Sequence, residues 1–154
     1  MVVIGEMVYN TDMTIEETIA EIKRKALRDK VPIMEDEGLG FLCDFLKEHR
    51  IKSLLEVGTA VGYSSIMMAH HNPQLKILTL EQDEERYHEA VENIERCGLS
   101  DRINPVLTNA REFETDEKGI MVTTKVKGKL TLNDILCAKQ VIDGKLNNGK
   151  DKRK

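Results

Sequence analysis

The sequence predicts an α/β fold, in which a partial parallel β-sheet is preceded by two N-terminal helices. Short apolar runs at 51–57, 75–80 and 103–107 alternate with the helical patterns 63–71 and 83–97, an order that is typical of parallel sheets. A glycine-containing turn at 58–62 joins the first apolar run to its helix. Upstream, apolar residues recur every three or four positions in two segments, which predicts two helices before the sheet.

The two upstream segments each carry their own helix signals. Thr14 and Glu17 have the spacing of a capping box at the start of the first helix, and Pro32 ends it. The second helix is predicted over 36–49. Its buried face is expected to hold Leu39, Leu42, Cys43 and Leu46.

The segment 51–107 predicts a Rossmann-like βαβαβ half. Asn72 and Pro73 end the first crossover helix, the second strand ends in Glu81, and Gly98 follows the second crossover helix as its C′ residue. Beyond residue 110, we expect a strand over 120–124 and a helix over 130–142.

Composition and charge restrict the class of protein. The chain has 154 residues, 40% apolar and 32% charged, which is typical of one globular domain. Residues 1–124 carry a net charge of −10 and residues 125–154 carry +6. We therefore expect a single domain over 1–143 and a disordered basic tail over 144–154.

Several classes of protein are excluded or disfavoured by what the sequence lacks. No apolar run approaches the roughly 20 residues of a membrane span, and the N-terminus does not resemble a signal peptide. Three cysteines at spacings that match no zinc pattern predict reduced thiols, not a disulfide framework. We expect a cytoplasmic protein with no membrane partner.

The turn between the first strand and its helix predicts a cofactor site. A dinucleotide turn places glycine where this chain has Glu56, and a carboxylate there would repel a pyrophosphate. It suits S-adenosylmethionine, which carries an ammonium and a sulfonium and no phosphate. Glu81, about 20 residues further on, is placed to accept ribose hydroxyls, and Asn109 and Ala110 to meet an adenine edge.

These residues carry a family resemblance. Residues 31–112 resemble the class I S-adenosylmethionine-dependent O-methyltransferases, in particular the catechol and caffeoyl-CoA branch. The matching pieces are Val31-Pro32-Ile33-Met34, the Glu56-x-Gly58-Thr59-x-x-Gly62-Tyr63-Ser64 block, Leu80-Glu81-Gln82-Asp83 and Thr108-Asn109-Ala110.

The resemblance implies a role for each matched position. It implies that Glu56 and Gly58 face the methionine end of the cofactor and that Ser64 binds its carboxylate. It assigns Glu81 to the ribose and Met34 to a cover over the cofactor. The resemblance also assigns four further residues to the cofactor site, namely Thr59, Gly62, Asn109 and Ala110.

The resemblance also implies a divalent metal, Mg²⁺, that aligns the acceptor hydroxyl, but its ligands are not found in this sequence. Residues 117–125 faintly resemble the later metal-binding strand, with Thr124 and Lys125 in place of an aspartate–asparagine pair. Thr is a poor ligand for Mg²⁺ and Lys would repel it, so no metal ligand and no catalytic residue is assigned.

Several functional alternatives remain open at this point. The chain is a truncated or internally deleted methyltransferase, a cofactor-binding remnant without catalysis, or an enzyme whose last segment builds an unrecognised site. The expected acceptor is a hydroxylated small molecule or, as in some bacterial relatives, a modified tRNA nucleoside. A nucleotide-dependent oxidoreductase is disfavoured by Glu56. An incomplete sheet has an uncovered edge, so we also expect a homodimer.

Overall fold

The computed structural model of the chain describes residues 2–4, 7–9, 12–110 and 120–123. Within them, the central element is a four-stranded, all-parallel sheet. The elements, in chain order, are β1 (Val2–Ile4), β2 (Met7–Tyr9), α1 (Ile15–Arg28), α2 (Asp36–Glu48), β3 (Ser53–Val57), α3 (Tyr63–His71), β4 (Lys76–Glu81), α4 (Glu84–Arg96), β5 (Ile103–Leu107) and β6 (Ile120–Thr123). The predicted α/β fold with two preceding helices is confirmed.

The strand order of the sheet is β5-β4-β3-β6. The chain moves outward from β3 through β4 to β5 and then returns to the other side of β3. Glu56 is paired with Thr79 across β3 and β4, and with Val122 across β3 and β6. The order therefore reverses at β3, which makes the carboxyl end of β3 the topological switch point where open α/β sheets bind ligands.

The helix ends follow the signals in the sequence. Thr14 caps α1 and exchanges hydrogen bonds with Glu17 in a complete capping box. The predicted inner face of α2 is buried in full. Gly98 follows α4 with a φ of 67°, a left-handed conformation that glycine adopts without strain.

The two N-terminal helices pack over the crossover helices and hold them together. Ion pairs join α1 to α4, between Lys25 and Glu89 and between Arg96 and Glu21. Lys23 of α1 pairs with Asp36 at the start of α2. The Tyr63 hydroxyl at the start of α3 donates to Asp36 at 3.2 Å, so three helices meet beside the glycine turn.

Two parts of the structure differ from the sequence-based expectations. The first is an antiparallel hairpin of β1 and β2, for which strands of three residues are too short to show a two-residue period. The second is the place of β6. The expected strand is present, but it pairs directly with β3 and so lies where the fourth strand of a doubly wound sheet lies. The faint resemblance of this segment to the later metal-binding strand stays a prediction.

Other predictions lie outside the described residues, namely the helix over 130–142, the basic tail over 144–154, the positions Thr124 and Lys125 and the domain boundary at 143. In the part of the chain that the structure describes, no helix is long and apolar enough to cross a bilayer.

Candidate cofactor site

The candidate site lies at the carboxyl ends of β3, β4 and β5. The glycine turn after β3 packs on the end of β4, because Gly58 and Thr59 both donate their backbone N–H to the Leu80 carbonyl, at 2.8 and 3.2 Å. Thr108, after β5, donates its N–H to the Glu81 carbonyl at 2.7 Å. These bonds bring the three loops that the sequence singled out to one edge of the sheet.

The backbone of the turn explains its glycines. Gly58 has a φ of 97° and Gly62 a φ of 86°, values that L-residues with a side chain rarely adopt. Ala60 between them also has a positive φ, of 50°. The Gly62 N–H donates to the Thr59 carbonyl at 2.9 Å and so closes the turn just before α3 begins.

Helix α4 supports the turn from the other side. A Cβ atom at Gly62 would lie 3.5 Å from Ala90 of α4, so helix and turn are in van der Waals contact. The Asn93 side chain, only 5% exposed, donates its Nδ2–H to the Val61 carbonyl at 2.9 Å. The buried face of α4, which holds Ala90 and Asn93, thus supports the turn's backbone.

Glu81 links the turn to the loop after β4. Its carboxylate is 1% exposed and accepts backbone N–H groups from both sides. Oε2 accepts from Ala60 at 2.8 Å, and Oε1 accepts from Gln82 and Asp83, each at 3.0 Å. A carboxylate that is ordered by amides at the end of a strand is a preorganised acceptor for sugar hydroxyls.

Glu56 is fully buried and points inside the fold rather than into the open end of the sheet. Three hydroxyls donate to its carboxylate: Ser64 at 2.5 Å, Ser65, and Thr79 at 2.6 Å. Burial raises the pKa of Glu56 above its usual value, the three hydroxyl donors oppose that rise, and the Glu81 carboxylate adds to it. Contact between Glu56 and a ligand stays a prediction.

The hydroxyl network extends from Glu56 to the turn itself. The Thr79 hydroxyl proton goes to Glu56, so in the 2.7 Å contact between Thr59 and Thr79 the Thr59 hydroxyl is the donor. The Ser64 hydroxyl donates its single proton to Glu56, but its oxygen lone pairs can still accept, and Ser64 lies at the start of α3. Its predicted contact with a cofactor carboxylate would therefore require the backbone N–H groups or a rotated hydroxyl.

The remaining predicted site residues differ in exposure. Asn109 is exposed and Ala110 is partly exposed, and both follow β5 at the same edge. Met34 is 8% exposed and belongs to the core cluster just before α2. All nine predicted positions lie within the described residues, and the structure brings the turn residues, Ser64 and Glu81 into one hydrogen-bonded unit.

Sequence reasoning missed the residues that support the site. Asn93 and Thr79 were assigned no role, although each had a signal. Asn93 is a polar residue on the otherwise apolar stripe of α4, between Ala90 and Ile94, and a polar residue in such a place needs a buried partner. Thr79 interrupts an apolar strand in the same way.

The described residues do not fit a metal site. They contain no group of three His, Cys, Asp or Glu side chains that could hold a metal ion. The Mg²⁺ ion that the resemblance implies therefore has no ligand set in this part of the chain, and we derive no step through it.

Comparisons with known proteins return methyltransferases, and one family model matches most of the chain. The model of the O-methyltransferase family matches residues 8–128. Among curated proteins, the flavonoid 3′,5′-methyltransferase of Vitis vinifera is 33% identical over 102 residues, which are 66% of this chain and 42% of that protein. The tRNA1(Val) (adenine(37)-N6)-methyltransferase of Glaesserella parasuis is 30% identical over 67 residues, 44% of this chain and 28% of that protein.

Solved structures give the same result at the level of the fold. An O-methyltransferase from Bacillus cereus, solved in complex with SAH, superposes with a TM-score of 0.61 at 25% identity, covering 69% of this chain and 53% of that one. The chain thus spans less than half the length of the two curated relatives and about half of this structure.

Proposed function

The chain belongs to the O-methyltransferase family, and from that premise we propose that it binds S-adenosylmethionine at the carboxyl edge of its sheet and transfers the methyl group to a hydroxyl oxygen. The solved relative from Bacillus cereus, which holds SAH, supports this choice of cofactor. The proposed site comprises the glycine turn 58–62, Ser64, Glu81 and the loop of Asn109 and Ala110, with Met34 and Glu56 behind it.

One observation carries the choice of cofactor. Glu81, a buried carboxylate at the end of β4, accepts the Ala60 N–H of a turn whose glycines have positive φ. Negative charge beneath the turn disfavours a pyrophosphate and favours a ligand with a sulfonium and an ammonium. A nicotinamide dinucleotide, the ligand of the competing oxidoreductase hypothesis, carries the disfavoured group.

In the proposed reaction, the cofactor supplies a methyl group that its sulfonium makes electrophilic. The chain's part is positioning. Glu81 holds the ribose, the N-terminus of α3 and Ser64 bind the carboxylate of the methionine moiety, and the turn excludes water from one side. Holding donor and acceptor in line supplies much of the rate of such a transfer.

The binding step is tested by isothermal titration with SAM, SAH and NAD. We expect SAH to bind and NAD not to bind. Glu81→Gln keeps the size of the side chain and one acceptor oxygen but loses the charge, so we expect it to weaken SAH by about tenfold or more, the value of one charge-assisted hydrogen bond. Glu85→Gln, at an exposed position on α4, is the matched control and should bind like the unaltered chain.

Glu81 also organises backbone amides, so thermal melting must accompany the titration. A Glu81→Gln chain that melts normally and binds SAH unchanged would contradict the assignment of Glu81. Binding of NAD in place of SAH would overturn the proposal as a whole.

The acceptor forms the second half of the proposal. We favour a hydroxylated small molecule, since the family is that of O-methyltransferases and the flavonoid relative is named for such a substrate. A modified tRNA nucleoside is the alternative, which the named tRNA methyltransferase supports in part, although its acceptor is an adenine nitrogen. Transfer of a tritiated methyl group to catechols, CoA esters and tRNA, with and without Mg²⁺, separates these acceptors.

A chain that binds SAH but methylates none of these acceptors fits the second candidate, a non-catalytic cofactor-binding module. The observations that favour it are the complete glycine turn and, in the sequence, Thr124 and Lys125 in place of the metal-binding aspartate–asparagine pair. We further propose that the protein is cytoplasmic and forms a homodimer through an edge strand of its sheet or through its N-terminal helices. Sedimentation that gives a stable monomer at micromolar concentration would reject the dimer.

A further inference from the structure

The opposite edge of the sheet, where the strands begin, carries a row of positive charge. Lys52 precedes β3, Lys76 begins β4 and Arg102 precedes β5. Backbone hydrogen bonds connect the three positions directly, because Lys76 N–H donates to the Lys52 carbonyl at 2.9 Å and Ile77 N–H donates to the Arg102 carbonyl at 2.8 Å. With neighbouring strands about 4.8 Å apart, the row is about 10 Å long.

Two adjoining cavities extend this row. A cavity of about 480 Å³ is lined by Lys52, Lys76 and Arg102, and one of about 420 Å³ is lined by Lys47, Arg50 and again Lys52. We call these five cations the amino-edge surface. Among the described residues that line the two cavities, Asp101 is the one acid.

The charge of the amino-edge surface is not neutralised within the described residues. Lys47, Arg50, Lys52 and Lys76 are exposed, and none of them has an ion pair there. The Arg102 guanidinium donates to three carbonyls, those of Ala69, Asn72 and Leu75, which are uncharged.

The surrounding helices compensate only part of this charge. Helices α2, α3 and α4 end on this side of the sheet, and their C-termini contribute about −0.5 charge each. With Asp101 and Glu48, the last residue of α2, a net charge of about +1.5 remains at this end of the sheet.

This positive charge is segregated from the rest of the described fold. Residues 12–110 contain 12 basic and 19 acidic residues, so the body is acidic. Five of the 12 basic residues nevertheless lie at one edge, where Asp101 is the one acid among the described residues that line the two cavities. Clustering of like charges costs free energy in the absence of a counter-ion, and a concave surface of this kind concentrates anionic ligands.

We propose that the amino-edge surface binds single-stranded RNA through its phosphate backbone. A row of cations that continues into two recesses suits a narrow, flexible chain of phosphates better than a flat bilayer or a broad duplex. The described lining residues include no Phe, Tyr or Trp on which bases could stack, so the binding is independent of sequence and strongly dependent on salt.

The proposal does not rest on the cofactor site. The five residues of β3 separate the amino edge from the glycine turn by about 16 Å, at 3.3 Å per residue. Loss of one site therefore leaves the other intact, and the two can be tested separately on the same full-length chain.

Fluorescence anisotropy with a labelled oligouridylate tests the proposal at several salt concentrations. Lys52→Gln/Lys76→Gln removes two cations from the row. The matched control, Arg24→Gln/Lys30→Gln, removes two exposed cations on or just after α1 that have no ion pair among the described residues. We expect the edge variant to bind about tenfold more weakly at low salt, and the slope of log K against log salt to fall by about 1.4, as for two lost phosphate contacts. The control should stay within twofold of the unaltered chain.

The proposal is overturned if the unaltered chain does not bind oligouridylate, or if both double variants weaken RNA binding equally. It is also overturned if the edge variant loses binding to phosphatidylserine vesicles but still binds RNA like the unaltered chain. Thermal melting of both variants serves as the folding control. SAH titration of the edge variant keeps the two sites distinct, since an unchanged affinity for SAH alongside weakened RNA binding assigns the effect to the amino edge.

Discussion

The substitution Asn93→Ala tests whether α4 determines the geometry of the glycine turn. It removes the buried bond from Asn93 Nδ2 to the Val61 carbonyl, 2.9 Å long, and leaves that carbonyl without its partner. An unpaired buried polar group costs about 1–3 kcal/mol. The higher helix propensity of alanine offsets roughly 0.5–0.7 kcal/mol of this loss of stability. The free energy of unfolding should therefore fall by about 0.5–2.5 kcal/mol.

Thermal and urea unfolding measure this loss. At roughly 2–4 °C per kcal/mol, the melting temperature should fall by about 1–10 °C. His88→Ala, an exposed position on the same helix, gains the same propensity without breaking a buried bond and should be neutral or slightly stabilising. If Asn93→Ala has the same melting temperature as His88→Ala and the two variants bind SAH with equal affinity, the inference that α4 holds the turn through Asn93 is refuted.

Three further predictions follow from the same region. Burial raises the pKa of Glu56 in the folded state, so its contribution to stability is present below the unfolded pKa and is lost as pH rises through the folded pKa. The stability of Glu56→Gln relative to the unaltered chain should therefore rise as the pH increases from about 4, the usual range of a glutamate. A difference that stays constant with pH in urea titrations would contradict this. Gly62→Ala should lower the free energy of unfolding by about 1–2 kcal/mol because of its φ of 86° alone, since a Cβ there would make only ordinary contact with Ala90. Gly62→Asn should lower it less, because asparagine adopts this left-handed conformation more readily. Equal losses for the two variants would refute the argument from the backbone. Arg102→Met should lower the free energy of unfolding by about 2–3 kcal/mol, because three carbonyls at and just after the end of α3 lose a charged donor. A loss below about 0.5 kcal/mol in thermal melting would show that water takes the place of the guanidinium.

Local signals were sufficient for most of the elements. The bounds of α3 and β5 match the sequence-based prediction: Gly62 and the Asn72-Pro73 pair delimit α3, and β5 covers the predicted strand 103–107. The capping box of Thr14 and the C′ role of Gly98 were also confirmed, since each depends on residues within one helical turn. The hairpin of β1 and β2 was missed because three-residue strands carry no readable period.

The candidate site was predictable in its location but not in its internal contacts. The order of strands and helices is enough to place Glu81, the turn and Asn109 at one edge, since the carboxyl ends of parallel strands share an edge. The partners of Glu56 were not predictable. Ser64 and Ser65 lie eight and nine residues away and Thr79 lies 23 residues away, and only the register of β3 against β4 brings Thr79 opposite the carboxylate.

The sequence by itself determined the α/β class, the helix ends and the residues of the cofactor turn, because periodicity, capping and glycine conformation are properties of neighbouring residues. Tertiary structure decided that β6 pairs with β3, that Glu56 points inside the fold and that Asn93 holds the turn. It also collected Lys52, Lys76 and Arg102 at one edge from three separate segments. Such contacts depend on strand register and helix packing, which bring together residues that no local pattern connects.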